Sequence, residues 1–192
     1  YTMPHPEASD DPDKSQYEET PLARLLCQLV MKAYRGESKR IAVSVGPQMG
    51  KSQITSRNGP AWIAGKRPHA NIILGTYNQP FADEFGESVR AITESKPYKQ
   101  VFPDFALRKS AVNLLITEKN GRLAFVGRGG SGTGKPADFF IVDDPLKDDI
   151  EAQSDTTREE VWRWFNKVAF TRCHSGSVIM VVHTRWHEDD LI

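Results

Sequence analysis

The chain has 192 residues, 39% hydrophobic and 26% charged, which is an ordinary profile for a folded globular protein. Its 25 basic residues balance its 25 acidic ones, whereas duplex-DNA-binding proteins usually show a basic excess or a basic face. Any DNA surface must therefore be a local patch, or be completed by other subunits or by further sequence. We recognise no signal peptide and no apolar run of membrane length, so no membrane partner is predicted.

The order of the chain predicts a polar lead-in followed by an α/β domain. Residues 1–20 are acidic and rich in proline, and residues 21–192 carry the domain. Because the sequence opens at Tyr1 without a methionine and stops at Ile192, just after a predicted helix start, we expect a fragment of a longer protein. Cys27 and Cys173 lack metal-ligand spacing and are expected to be free thiols in a reducing compartment.

Strand and helix patterns alternate along the domain. After a first helix from Pro21 to Gly36, the predicted strands are 41–45, 71–76, 139–142 and 177–182, and the predicted helices are 53–64, 81–93 and 154–170. Such alternation predicts a parallel sheet covered on both faces. Asn120-Gly121 lies between two apolar runs and predicts a β-hairpin, while residues 95–110 are predicted to be irregular.

The segment 41–53 is typical of a phosphate loop. An apolar strand runs into Gly46-Pro47-Gln48-Met49-Gly50-Lys51-Ser52, and a helical pattern begins at Gln53. Loop N–H groups and the helix N-terminus would face the phosphates of a nucleoside triphosphate. Lys51 would reach the β- and γ-phosphates, and the Ser52 hydroxyl would bind Mg²⁺. Val45 occupies the position of the first glycine of the strict pattern, and an ordinary strand-to-helix turn is the alternative.

A second glycine-rich match, Gly129 to Lys135, is rejected on context. Pro136 follows its lysine, so no hydroxyl is present for Mg²⁺ and one N–H is missing. The residues that follow predict a strand rather than a helix.

Two acids end the strand 139–142. In a parallel sheet the carboxyl ends of strands carry the functional groups, so Asp143 is predicted to lie near the phosphate loop. We assign Asp143 to the Mg²⁺ ion, usually through water, and Asp144 to orienting or activating the attacking water. The alternative is a turn or helix-capping acid pair before Pro145. Many ATPases of this type have glutamate in place of Asp144, so the side chain here is one methylene shorter.

Three segments together resemble the ATPase domain of a tailed-phage terminase large subunit. They are VGPQMGKSQ at 45–53, GGSGTGKPADFFIVDDPLKDD at 129–149 and VVHTRWHEDDLI at 181–192. The first is similar to the family's degenerate phosphate loop, the second to its glycine-rich segment and second ATPase motif, and the third to its coupling motif.

This resemblance implies a three-layer P-loop NTPase of the ASCE/RecA-like type, with a mostly parallel sheet and an added β-hairpin. It implies hydrolysis of ATP, with Mg²⁺, to drive double-stranded DNA into a procapsid. The implied partners are double-stranded DNA, the portal protein and the small terminase subunit. The protein is expected to form a homo-oligomeric ring when assembled and to be monomeric in isolation. The implied location is the host cytoplasm and, transiently, the portal vertex. The family's RNase H-like nuclease domain is expected to be absent from this chain.

The resemblance also assigns further residues. Thr184 matches the polar residue that senses the γ-phosphate and couples hydrolysis to movement, although a strand-terminal backbone contact is an alternative. Gln48 stands where many relatives carry an arginine, which favours an arginine finger from a neighbouring subunit. Arg128 is our first candidate, Lys135 the second and Arg185 the third. Solvated loop charge is the other interpretation of Arg128.

Tyr17 and Arg24 are the candidates for the adenine side of the ATP site. A metal site at His183 and His187 is disfavoured because paired metal histidines at this spacing usually share a helix. The acids Glu188, Asp189 and Asp190 instead predict the first turn of a helix.

Three other functions remain open from the sequence. A superfamily-2-like helicase or translocase shares the loop and an acid motif, but it would need an Asp-Glu-x-Asp/His string where Asp143-Asp144-Pro145-Leu146 stands. A small-molecule kinase would usually carry a lid with clustered arginines, which we do not find. A docking module that binds nucleotide and hydrolyses it poorly is the third.

Overall fold

A seven-stranded sheet forms the centre of the structure, a computed structural model that describes residues 19–130, 134 and 136–192. The strands are β1 (Arg40–Ser44), β2 (Asn71–Thr76), β3 (Leu107–Ala111), β4 (Leu114–Thr117), β5 (Arg122–Gly127), β6 (Ala137–Asp143) and β7 (Cys173–His183). The helices are α1 (Pro21–Arg35), α2 (Gly59–Lys66), α3 (Gln79–Glu94), α4 (Lys96–Val101), α5 (Asp149–Gln153) and α6 (Asp155–Arg172). A π-helical segment, Gln53–Asn58, leads directly into α2.

The strand order is β1-β7-β6-β2-β5-β4-β3. The first five strands in this order are parallel, and β4 and β3 follow as antiparallel strands at one side. The carboxyl ends of β1, β7 and β6 are therefore neighbours on one edge of the sheet. This arrangement places the segment after β7 between the phosphate loop, which follows β1, and the acid pair at the end of β6.

Helices cover both faces of the sheet. On one face α1, α2 and α3 contribute Leu26, Ala61 and Phe85 to a core that contains the β2 residues Ile72 and Leu74. On the other face α6 contributes Val161, Trp164 and Val168, which pack with Ile73 and Phe140. The predicted three-layer α/β architecture with a mostly parallel sheet is confirmed.

One strand of the parallel sheet, β1, is buried on one face only. This strand lies at the edge of the sheet, and Ile41 and Val43 are buried while Arg40, Ala42 and Ser44 are exposed. An apolar run reports the affinity of a segment for a core, but it does not report the position of the strand within the sheet.

The prediction that residues 95–110 are irregular is also wrong. Ser95 caps α4 by accepting a hydrogen bond from the Tyr98 N–H, and β3 then pairs with β4. The middle residues of β3 are exposed, so the strand carries no apolar alternation that the sequence could reveal. The short helix α5 was missed for a similar reason, since only Ala152 of its residues is buried.

The structure also describes the predicted hairpin and the two cysteines. The Asn120-Gly121 hairpin is confirmed, with Asn120 at a φ of 65° between the antiparallel strands β4 and β5. Cys27 and Cys173 are free thiols of intermediate burial. Over the described residues, no helix combines the length and the apolar character needed to cross a membrane.

Candidate nucleotide site

The phosphate loop is an exposed turn between β1 and the helix that follows it. We call this helix, which consists of the π-helical segment Gln53–Asn58 and α2, the loop helix. Residues 46–50 are all exposed, and the loop is attached to β7 where the Val45 N–H donates to the His183 carbonyl at 3.3 Å. Gln48 and Gly50 adopt positive φ values of 59° and 79°. A left-handed turn at these two positions reverses the chain before Lys51, and glycine meets this requirement at position 50 without a steric cost.

Lys51 points into the protein and pairs with Asp144. Its Nζ lies 2.9 Å from Asp144 Oδ2, and the Lys51 side chain is only 7% exposed against 25% for Asp144. The structure thus brings the predicted phosphate-binding cation and the predicted water-activating acid into direct contact.

Asp143 is held by two serine hydroxyls from the loop helix. Ser52 Oγ donates to Asp143 Oδ1 at 2.9 Å, and Ser56 Oγ donates to Oδ2. The two serines are four positions apart at the start of the loop helix, so their side chains share the face that is turned to β6. The sequence analysis assigned Ser52 and Asp143 to the same Mg²⁺ ion, whereas it did not single out Ser56.

The two neighbouring acids have opposite pKa shifts. Complete burial, and then the negative charge of Asp144, raise the pKa of Asp143 to about 6 against the partial opposition of the hydrogen bonds from Ser56 and Ser52. Burial also acts to raise the pKa of Asp144, but hydrogen bonds from His183, Lys51 and the Thr184 N–H outweigh burial and lower it. Asp144 is therefore the more acidic of the two carboxyl groups, and its ionised form can only accept hydrogen bonds.

The backbone of Asp144 is also unusual, with a φ of 40°. A non-glycine residue in this region is uncommon and persists where its surroundings hold it. Here the Asp144 N–H donates to the Val182 carbonyl at 2.9 Å, and its side chain accepts from the Thr184 N–H at 2.8 Å. The turn aims the carboxylate back across the end of β7 towards Lys51.

Thr184 connects the acid to the phosphate loop. Its N–H binds Asp144, while its hydroxyl lies 3.4 Å from the Val45 carbonyl, in the direction of a hydrogen bond. Thr184 thus lies between the phosphate loop and the acid pair. The structure also gives the side chain the backbone contact that was the alternative interpretation.

His183 was not predicted to belong to the site. It is the last residue of β7, is completely buried, and its Nδ1 lies 3.3 Å from Asp144 Oδ1. The predicted helix after it does not form, since residues 187–190 make a turn. Among the described residues, no group of three or more His, Cys, Asp or Glu side chains is arranged to hold a metal ion.

Arg128 is paired within its own chain. Its guanidinium donates to the two carboxylate oxygens of Glu151 at 3.0 and 3.2 Å, and its N–H donates to the Thr76 carbonyl at 2.7 Å. A finger role would require the Glu151 pair to open. Arg185 is about half exposed and donates to the Glu188 carbonyl, whereas Lys135 lies outside the described residues.

The adenine side is less defined. Arg24 lies on α1 and pairs with Glu19 at 3.1 Å, and Tyr17 lies outside the described residues. Both assignments stay predictions.

The oxygen atoms at the loop fit a Mg²⁺ ion. This ion takes oxygen ligands and is usually held by one or two protein groups together with substrate phosphates and water. The Ser52 hydroxyl and the Asp143 carboxylate, 2.9 Å apart, supply such a pair. The set lacks the thiolate or imidazole groups that would favour zinc.

In this mainly parallel sheet a phosphate loop follows β1 and an acid pair ends β6, with the polar end of β7 between them. This arrangement defines a P-loop nucleoside-triphosphatase fold. Residues 43–191 match the family model described as "Terminase large subunit, T4likevirus-type, N-terminal". The chain therefore belongs to the family of N-terminal domains of terminase large subunits.

Solved structures agree with this assignment at the level of the fold. The crystal structure of the HK97 bacteriophage large terminase is similar with a TM-score of 0.64 and 15% identity, over 94% of this chain and 36% of that one. The large terminase ATPase domain of Thermus phage P74-26 is similar with a TM-score of 0.50 and 13% identity, over 88% and 71% of the two chains. This chain thus spans about a third of the HK97 protein. No curated protein shows significant similarity to it.

Proposed function

We propose that this chain is the ATPase motor domain of a viral terminase large subunit, which hydrolyses ATP to drive double-stranded DNA into a procapsid. One observation carries the proposal: Lys51, Ser52, Asp143, Asp144 and Thr184 converge at the ends of three adjacent strands, through contacts of 2.8 to 2.9 Å. These are the groups needed to bind a triphosphate, hold its metal ion and position water. The family assignment supplies the DNA-packaging context.

Each residue has a stated role in this proposal. Lys51 would turn from Asp144 to the β- and γ-phosphates, and Ser52 and Asp143 would hold Mg²⁺, which would neutralise phosphate charge. Asp144 accepts a hydrogen bond from the attacking water, and the ion pair with Lys51 shows that its carboxylate lies within reach of the phosphate-binding group. Thr184 connects this acid to the loop. The remaining loop contacts come from Gly46, Pro47, Gln48, Met49, Gly50 and Gln53.

We propose a cation supplied in trans, with Arg128 still the first candidate. If Arg128 is the finger, Arg128→Ala should lower ring-stimulated ATP turnover by about 1,000-fold or more. Glu151→Gln keeps Arg128 but weakens the ion pair at 3.0 Å, so it should leave turnover unchanged or raise it. The measurement is turnover of the assembled ring for both variants.

If Arg128 only stabilises the chain near α5, both variants should lower turnover and thermal stability together. Wild-type turnover in Arg128→Ala would reject the finger assignment outright. Lys135→Ala, and then Arg185→Ala, are the next variants to assay.

The raised pKa of Asp143 predicts a pH dependence of metal binding. Since the ionised carboxylate is the ligand, lowering the pH from 7.5 to 5 should weaken Mg²⁺-dependent nucleotide binding by about tenfold, with the change centred near pH 6. Titration with a fluorescent ADP analogue measures this. In the nucleotide-free protein the sign is the reverse, because the contribution of Asp143 to the free energy of unfolding is lost as the pH rises through about 6.

Asp143→Asn and an excess of EDTA are the controls for this pH dependence. Both should remove the step near pH 6 while leaving any pH dependence of the phosphates themselves. An identical step in Asp143→Asn would show that another group is titrating.

We further propose double-stranded DNA, the portal protein and the small terminase subunit as partners, in a homo-oligomeric ring at the portal vertex in the host cytoplasm. Isolated protein is expected to be mostly monomeric with weak ATPase activity, because a finger in trans acts only between neighbours.

ATP turnover against protein concentration, with and without duplex DNA and portal, tests the proposal. Turnover that rises with assembly and with DNA supports a ring motor. Fast turnover by a strict monomer, indifferent to DNA and portal, would favour a kinase-like enzyme or a helicase fragment. Nucleotide binding without turnover under any condition would favour the docking module.

A further inference from the structure

His183 lies between two carboxylates in the interior of the protein. Its Nδ1 is 3.3 Å from Asp144 Oδ1, and its Nε2 is 3.4 Å from Asp190 Oδ2. The side chains of His183 and Asp190 are both 0% exposed. Nε2 is close enough for an electrostatic interaction but is not aligned for a hydrogen bond, so within the described part of the chain this buried nitrogen has no hydrogen-bond partner.

Asp190 fixes the turn that follows β7. Its carboxylate accepts hydrogen bonds from the N–H groups of Trp186 at 3.2 Å, His187 at 3.4 Å and Ile192 at 3.2 Å. Arg185 Nε also lies 3.6 Å from Asp190 Oδ1. A buried carboxylate with several backbone donors is a rigid anchor, because moving it would leave those donors unsatisfied.

On the other side of the His183 ring, the Asp144 carboxylate has three polar partners, and the proposed function redirects one of them, Lys51. Lys51 Nζ and Thr184 N–H bind it together with His183. In the proposed function Lys51 turns to the phosphates, which leaves Asp144 held by one backbone group and one side chain. That side chain is His183, and an ionised carboxylate can only accept, so Nδ1 is the donor.

We infer that His183 is a positioning residue that holds Asp144 aimed at the attacking water, with its imidazole buried between the Asp144 and Asp190 carboxylates. The inference rests on the proposed function for the role of Asp144. It goes beyond that function by giving the buried residue at the end of β7 a part in orienting the acid.

Two amide variants separate the two ring nitrogens. His183→Asn places its amide nitrogen close to the position of Nδ1, whereas His183→Gln extends towards Nε2. His183→Gln should therefore lower the kcat for ATP by up to about 100-fold with KM within about twofold. His183→Asn should recover most of this loss. Equal losses of kcat in both variants, or a loss that appears in KM, would overturn the inference.

A double variant tests whether His183 acts through Asp144. In an Asp144→Asn background, His183→Gln should lower kcat no further, because the group that it orients is already disabled. Multiplied effects in the double variant would mean that His183 acts by another route.

A measurement that does not need turnover tests the contact itself. In ¹H–¹⁵N spectra of the nucleotide-free chain, the His183 Nδ1 proton should be protected from exchange and should shift in Asp144→Asn but not in Asp149→Asn. The absence of such a proton, or no shift in Asp144→Asn, would overturn the inference even if the enzyme is active. Wild-type protein without Lys51-dependent turnover would instead reject the proposed function.

Discussion

Asp144→Asn should yield a protein that binds ATP but hydrolyses it about 100- to 10,000-fold more slowly, since this is the usual contribution of a positioned general base. The substitution preserves the shape of the side chain and its ability to accept from the Thr184 N–H, now 2.8 Å away. It removes the negative charge that holds Lys51 at 2.9 Å. Lys51 is then freer to meet the phosphates, so nucleotide affinity should stay the same or increase. Turnover and fluorescent-nucleotide binding measure the two effects.

Asp149→Asn is the matched control for this variant. It makes the same chemical change at an exposed acid in α5 and should leave both binding and turnover unchanged. Turnover within tenfold of wild type in Asp144→Asn would contradict the role given to Asp144. Loss of nucleotide binding instead of turnover would mean that the acid contributes to the ground-state complex.

The parts of the site that local sequence could predict are those that a motif holds together. Lys51 and Ser52 follow a strand and open a helix, and Asp143 and Asp144 end a strand. Both patterns indicate one edge of a parallel sheet, so the convergence of these residues could be inferred from the sequence alone. Thr184 could be placed only through the family resemblance.

The parts that were missed depend on pairings across the chain. Ser56 looks like any polar residue in a helix, and only its contact with Asp143, which is 87 positions away, gives it a purpose. The π-helical backbone around it has no recognised sequence signal, although such segments often occur at functional sites. The sequence placed His183 at the end of a strand and Asp190 in the first turn of a helix, whereas the complete burial of both side chains is a tertiary property.

Lys51→Ala should reduce ATP turnover by at least about 100- to 1,000-fold, because it removes the cation that stabilises charge on the phosphates. The same change should also destabilise the nucleotide-free protein. The Lys51 ammonium group is almost wholly buried and lies 2.9 Å from Asp144 Oδ2, so removing it leaves that carboxylate with fewer hydrogen-bond donors. We expect the free energy of unfolding to fall by about 1–3 kcal/mol, measured by denaturant titration. Lys147→Ala, at an exposed lysine, should change neither quantity.

The double variant Lys51→Ala/Asp144→Asn separates these two effects of Lys51. Without the Asp144 charge, loss of the lysine should have a smaller stability cost than in the wild-type background, because no ionised carboxylate is left short of partners. Loss of nucleotide affinity should remain, since the phosphates still lack their cation. If the stability cost is undiminished, the contact with Asp144 does not stabilise the nucleotide-free state. If nucleotide affinity is unaffected by Lys51→Ala in either background, the loop 46–52 does not bind phosphate, and the strand-to-helix turn is only structural.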